Sequence, residues 1–158
     1  MVKNSQPNTR QGALPDVFAV FNEIGIIAQL TETKMERALP DGLRMSHFSV
    51  LNHFVRRPYP ATPVQLAQAF QVTKAAITNT LNRLETRGLV EITPSSEDRR
   101  SKQVAITPRG REAHTACLEA LRPELAQVEA AFGRQAFTEA LPFLHQLRQW
   151  LDEERNAR

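Results

Sequence analysis

The sequence predicts a mostly α chain with one small antiparallel β-hairpin. Apolar residues recur at helical spacing over most of its 158 residues. Only two short stretches, residues 89–93 and 103–107, alternate in the manner of strands. Threonine, proline and glycine punctuate the chain where helices should start and stop.

Taken in order, residues 1–13 are polar and read as a tail. Val17, Phe18, Phe21, Ile24, Ile27 and Leu30 then predict a helix over 15–38, apolar on more than one stripe and so expected to be buried on two sides. Pro40-Asp-Gly ends it. Ser46 is the expected N-cap of a helix over 46–57, with Phe48, Leu51, Phe54 and Val55 inward; Pro58-Tyr-Pro60 stops it. Thr62-Pro63 opens a short helix over 63–69. After the turn Phe70–Thr73, Thr73 caps a helix over 74–87 that Gly88 terminates. Thr107-Pro108 starts the last helical blocks, 108–131 and 134–155, divided at Gly133; Pro123 and Pro142 predict kinks or short breaks.

Two short helices joined by a tight turn and followed by a hairpin with a long basic tip describe a winged helix-turn-helix. In the helix over 74–87, Ile77, Leu81 and Leu84 face inward. The opposite face carries Ala75, Asn79 and Asn82, flanked by Thr78 and Arg83. Asn can pair with adenine, and Ala or Thr methyls can touch the thymine methyl. Thr73 and Lys74 in the first turn, with Arg83, put phosphates in reach. The wing carries Asp98, Arg99, Arg100, Ser101 and Lys102, and an arginine on a narrow hairpin suits the minor groove. Taken singly, each of these residues also fits an ordinary solvated helix face or a charged hairpin tip.

The formal net charge is +3. Residues 73–111 hold eight basic and four acidic residues, whereas the rest holds 12 and 13, so the positive excess lies in that quarter of the chain. A surface for a polyanion partner and an ordinary solvated charged surface would both give this pattern. The single cysteine, Cys117, excludes an internal disulfide and fits a reducing cytoplasm; its apolar neighbours suggest a buried structural thiol. His114 and Cys117 are spaced to share a metal but lack partners, so no metal site is expected. The most apolar stretch, residues 24–30, is far short of the ~18 residues a membrane helix needs, and no secretion signal is expected. With no Gly-rich phosphate loop, His-Glu-x-x-His pair or recognisable nucleophile, neither enzyme activity nor a cofactor is expected.

Leu81-Asn-Arg-Leu-Glu-Thr-Arg-Gly-Leu-Val90 and Glu97-Asp-Arg-Arg-Ser-Lys-Gln-Val-Ala-Ile-Thr-Pro-Arg-Gly110 together resemble the multiple-antibiotic-resistance regulator (MarR) family. The resemblance implies a bacterial, cytoplasmic, homodimeric transcription regulator, commonly a ligand-responsive repressor, that reads a pseudo-palindrome in double-stranded DNA. It matches Arg100 to the wing arginine of the minor groove and Asp98 to an acid that orients the wing, with Arg83 as a candidate partner. It divides the chain into a tail (1–13), a dimerisation helix (14–43), a winged helix-turn-helix domain (44–110) and C-terminal dimerisation helices (111–158). It also implies an aromatic-acid effector, for which Phe21, Arg44, His47 and Phe48 are the candidate lining.

Dimerisation has a physical argument too. A winged domain of about seventy residues cannot cover a first helix and a C-terminal region this apolar. Two half-sites would then lie about 34 Å apart. A non-specific architectural DNA binder and a helical adaptor for protein partners are the alternative readings.

Overall fold

The computed structural model describes residues 16–95 and 101–157. Helix α1 (Asp16–Glu36) leads through a 3₁₀ turn (Pro40–Gly42) to α2 (Met45–Arg56), α3 (Pro63–Phe70) and α4 (Lys74–Thr86). Strands β1 (Val90–Pro94) and β2 (Lys102–Ile106) follow, then α5 (Pro108–Phe132) and α6 (Arg134–Asn156). This is the winged helix-turn-helix order expected from the sequence, with both strands displaced by one residue.

The caps explain the boundaries. The hydroxyls of Thr62, Thr73 and Thr107 each accept the backbone N–H three residues on, at 3.0–3.2 Å. Gln71, in the left-handed region at φ 56°, makes the tight turn between α3 and α4. Gly88, at φ 68°, ends α4 as expected. Ser46, the expected cap of α2, is inside the helix instead. Here the N-cap is Arg44, whose backbone N–H donates to His47 Nδ1 at 3.0 Å, while Met45 N–H donates to Glu36 Oε1 at 3.2 Å. Nor do the prolines interrupt the last two helices: α5 runs through Pro123 and α6 through Pro142. Both prolines are exposed, so water can satisfy the carbonyl each leaves unpaired.

The strands pair antiparallel, with Val90 opposite Ile106 and Ile92 opposite Val104. Ala61 and Val104 add a bridge, exchanging both backbone bonds at 2.9 and 3.1 Å. Val50, Leu51, Phe54, Leu66, Leu81, Leu84, Val104 and Cys117 are the most deeply buried apolar side chains among the described residues. They draw on α2, α3, α4, β2 and the first half of α5, so the core sits directly behind α4.

Helix α1 corrects one expectation, since none of its residues is buried within the chain. Val17, Phe18, Phe21, Ile26, Ile27 and Leu30 are exposed, as are Phe137, Leu141, Phe143, Leu144, Trp150 and Leu151 on α6. A Lys34–Glu124 ion pair at 2.8 Å ties α1 to α5. No helix among the described residues is long and apolar enough to cross a membrane.

Candidate nucleic-acid interface

Helix α4 owes its orientation to Ile77, Leu81 and Leu84, which are buried at i, i+4 and i+7. Thr73, Lys74, Ala75, Thr78, Asn79, Asn82 and Arg83 are consequently all exposed. The Thr78 hydroxyl donates to the Lys74 carbonyl at 2.7 Å. That bond uses the hydroxyl proton within the helix and leaves the methyl as the group to offer a partner. The Asn79 and Asn82 amides make no hydrogen bond to another described residue, so both keep a donor and an acceptor for an incoming edge.

Five of the predicted residues converge. Lys74, Thr78, Asn82, Ser101 and Lys102 line one groove of about 370 Å³ that runs from α4 to the base of the wing. Its opposite wall is the start of α3, Thr62, Pro63 and Val64. Sequence reading took Thr62-Pro63 only as a helix start and missed that the same residues frame the interface. The signal was available, because a cap fixes where the first turn of α3 points. Asp98, Arg99 and Arg100 lie outside the described residues.

The hairpin is locked to α4 from behind. Thr107 Oγ1 donates to the Gly88 carbonyl at 2.7 Å, and Thr107 N–H donates to the Leu89 carbonyl at 3.2 Å. Arg87 donates to the Asp41 carbonyl at 2.6 Å, so the last turn of α4 is also tied to the segment before α2. Sequence reading gave Arg87 no such role.

His47 is buried near this end of α4. Burial, then the positive charges of Arg87, Arg83 and Arg44, lower its pKa from the ordinary 6.5, and Glu36 opposes them. Its Nδ1 must be unprotonated to accept from Arg44, so protonation also removes that bond. Burial lowers His53 and His114 as well, with Arg57 adding to the effect at His53. All three histidines therefore bind protons more tightly in the unfolded chain. Stability is complete above pH 6.5 and falls as pH drops through that value, levelling only below the lowered folded pKa values. Thermal melts from about pH 7.5 to about pH 5.5 are expected to show a falling Tm. His47→Gln, whose amide oxygen can still accept from Arg44, should show a shallower fall; an unchanged slope would contradict this account.

The four candidate effector residues are not brought to one cavity. Phe21 is exposed on α1, Arg44 is exposed at the start of α2, and His47 is buried. Phe48 stacks on His114 with ring centroids 5.4 Å apart. An apolar cavity of about 730 Å³, lined by Ile24, Ile27, Met45, Val50, Ile77 and Leu144 among others, lies between α1 and the winged domain without any of the four. His114 Nε2 lies 3.1 Å from Asn52 Oδ1 and shares no metal cluster with Cys117 among the described residues. Cys117 is fully buried, and burial pushes its thiol pKa up.

A capped helix with an exposed amide and methyl face, beside a hairpin and behind a short positioning helix, defines a winged helix-turn-helix protein. Comparison narrows this further. A model of the MarR family matches residues 41–101. The transcriptional repressor NicR of Pseudomonas putida is 32% identical over 99 residues, 62% of this chain; the match spans 60% of NicR's own length. The crystal structure of the transcriptional regulator BldR from Sulfolobus solfataricus superposes with a TM-score of 0.77 at 27% identity, covering 88% of this chain and 99% of that one. A mutant of MarR from E. coli, complexed with operator DNA, shares the fold with a TM-score of 0.68 at 23% identity, covering 86% and 97%. Over residues 41–101 the chain is thus similar to the MarR family, and over most of its length it shares the fold of solved members. NicR is named a transcriptional repressor and BldR a transcriptional regulator.

Proposed function

We propose that the chain is a cytoplasmic, sequence-specific DNA-binding regulator that acts as a homodimer on a pseudo-palindromic operator, most simply as a ligand-responsive repressor. The observation that carries this is the groove in which Lys74, Thr78 and Asn82 of α4 meet Ser101 and Lys102 of the wing and the start of α3. The residues of α4 supply base-edge and methyl contacts; Thr73, Lys74, Arg83 and Lys102 supply phosphate contacts. Asp98, Arg99 and Arg100 at the wing tip complete the interface, Arg100 in the minor groove. NicR is named a repressor, and the E. coli MarR structure holds operator DNA; both support the reading.

The homodimer rests on the exposed apolar side chains of α1 and α6, more than a stable monomer of this size leaves to water. Helix α1 (within 14–43) and the helices of 111–158 are the dimerisation elements, and 44–110 is the DNA-binding domain. A small aromatic acid is the proposed effector, acting between these parts.

Selection of bound fragments from randomised duplex DNA, followed by a salt titration of the winner, tests the whole. A pseudo-palindrome with half-sites about one helical turn apart is the expected result. Salt-sensitive binding without an enriched sequence would replace it with an architectural role, and no binding at low salt with an adaptor. Within the selected operator, Arg100→Ala should weaken binding about tenfold, the loss of one charge-assisted contact, and Arg10→Ala far less. Equal effects in a gel-shift titration would sink the wing assignment.

A further inference from the structure

A groove of about 550 Å³ lies beside the one that faces the wing, between α3, the start of α4 and the last turn of α6. Val64 and Lys74 line both grooves, so the two are continuous across the first turns of α3 and α4. Val64, Ala67 and Val72 make an apolar floor, and Gln68, Gln71, Lys74 and Arg155 supply the polar atoms. No carboxylate lines it among the described residues. Glu153 and Glu154 precede Arg155, but consecutive helical residues turn by about 100°, and neither joins the lining.

Arg155 is held from two sides. Its Nη1 donates to the Gln68 carbonyl at 3.3 Å, and its Nη2 lies 3.6 Å from Asp152 Oδ1. Asp152 is divided between Arg155 and Arg148, so one carboxylate faces two guanidiniums. The Gln68 carbonyl closes the end of α3 and also accepts the Gln71 N–H at 3.3 Å and the Gln71 Nε2 at 3.2 Å. Side chains from the helix-turn-helix turn and from α6 are therefore fixed at one point. Lys74 stands at the N-terminal, positive end of α4. The apolar floor suits a deoxyribose, and the cations on either side suit its phosphates.

We propose that this groove seats the DNA backbone next to the bases that α4 reads, with Arg155 as a phosphate contact contributed by α6. The inference rests on the DNA-binding function proposed above and adds to it, because it gives α6 a direct part in the contact besides its part in the dimer. Continuity with the wing groove argues for this occupant: a strand that crosses Lys74 leaves one groove and enters the other.

The test is a fluorescence-anisotropy titration of the full-length protein on the selected operator and on a random duplex, at several salt concentrations. Arg155→Gln should weaken binding about tenfold on both duplexes. It should also flatten the dependence of log Kd on log salt by about one per protomer. Arg155→Lys should restore the slope. Gln68→Glu keeps the backbone carbonyl that Arg155 uses and puts a negative charge in the groove, so it should weaken binding as well. Arg122→Gln, on an exposed arginine of α5, should change neither affinity nor slope. Melting curves and sedimentation check that each variant folds and assembles as the parent does. Weaker binding of Arg155→Gln at an unchanged slope would make Arg155 a strut on the end of α3, and would overturn the proposal. So would full affinity in Arg155→Gln or Gln68→Glu, or a flatter slope in Arg122→Gln. If the parent binds neither duplex at low salt, the DNA-binding reading itself falls. If it binds and Arg155→Gln matches it, only the groove does.

Discussion

Replacing Gly110 with alanine is expected to cost about 3 kcal/mol of stability and to lower Tm by roughly 6–12 °C. Gly110 is buried in the first turn of α5, where its Cα faces the end of α4 and the start of β1. A Cβ there would overlap the Leu89 carbonyl oxygen and lie 2.8 Å from Ile106 Cγ1. Neither neighbour can withdraw cheaply. The Leu89 carbonyl accepts the Thr107 N–H, and Ile106 is the strand residue paired with Val90. The added methyl would act as a wedge between α5 and the hairpin. Gly25 is the control, because nothing lies within 4 Å of a Cβ built there. It sits inside exposed α1, so Gly25→Ala should raise stability by about 0.5–1 kcal/mol through helix propensity. Equal responses at the two positions in denaturant titrations would show that close approach is not the reason for glycine at 110.

Phe54→Ala is expected to cost about 3–5 kcal/mol. Phe54 is only 1% exposed and is the largest fully buried side chain, in a cluster that includes Leu51, Leu66, Leu84 and Val104. Removing its ring loses the transfer free energy of the buried surface and leaves a void. Helices α3 and α4 cannot both move in to fill it, since their caps and the Ala61–Val104 bridge hold them. Urea titration should show a lower midpoint with little change in slope. Phe18, 52% exposed on α1, makes the comparison: Phe18→Ala should leave the winged domain's own midpoint nearly unchanged. A loss below about 1 kcal/mol at Phe54 would mean that the core is not close-packed there.

What was legible in the sequence is what depends on near neighbours in the chain. Thr62, Thr73 and Thr107 cap as expected because a hydroxyl and an amide three residues on are enough to define the motif. The inward face of α4 was legible for the same reason, and with it the outward residues of the candidate interface. Ser46 failed as a cap because Glu36, nine residues before Met45, takes the amide at the start of α2, and His47 takes the one before it. No local pattern announces that competition. Sequence reading places His47 and Phe48 in one lining, but adjacent helical residues point about 100° apart, and within one chain His47 is buried while Phe48 stacks on His114. Periodicity showed that α1 is apolar but not what covers it. A cleft between α2, α3 and α6 was illegible for a related reason: Arg56 and Arg148, which both line it, lie on α2 and α6, and only the tertiary fold makes them neighbours.

The Ala61–Val104 bridge has a consequence for motion. A two-stranded ribbon is marginal in water, and a long-tipped one would be expected to fray from its open end. Here the segment entering α3 completes a third strand position at the middle of β2, with two backbone bonds where the ribbon would otherwise have a bare edge. The base of the hairpin therefore cannot swing independently of the first helix of the helix-turn-helix. Opening either one breaks the same pair of bonds, so the two would exchange their amide protons as a single cooperative unit. Any change in the setting of the described hairpin and α3 then has to come from moving the winged domain as a rigid piece, and not from bending between them.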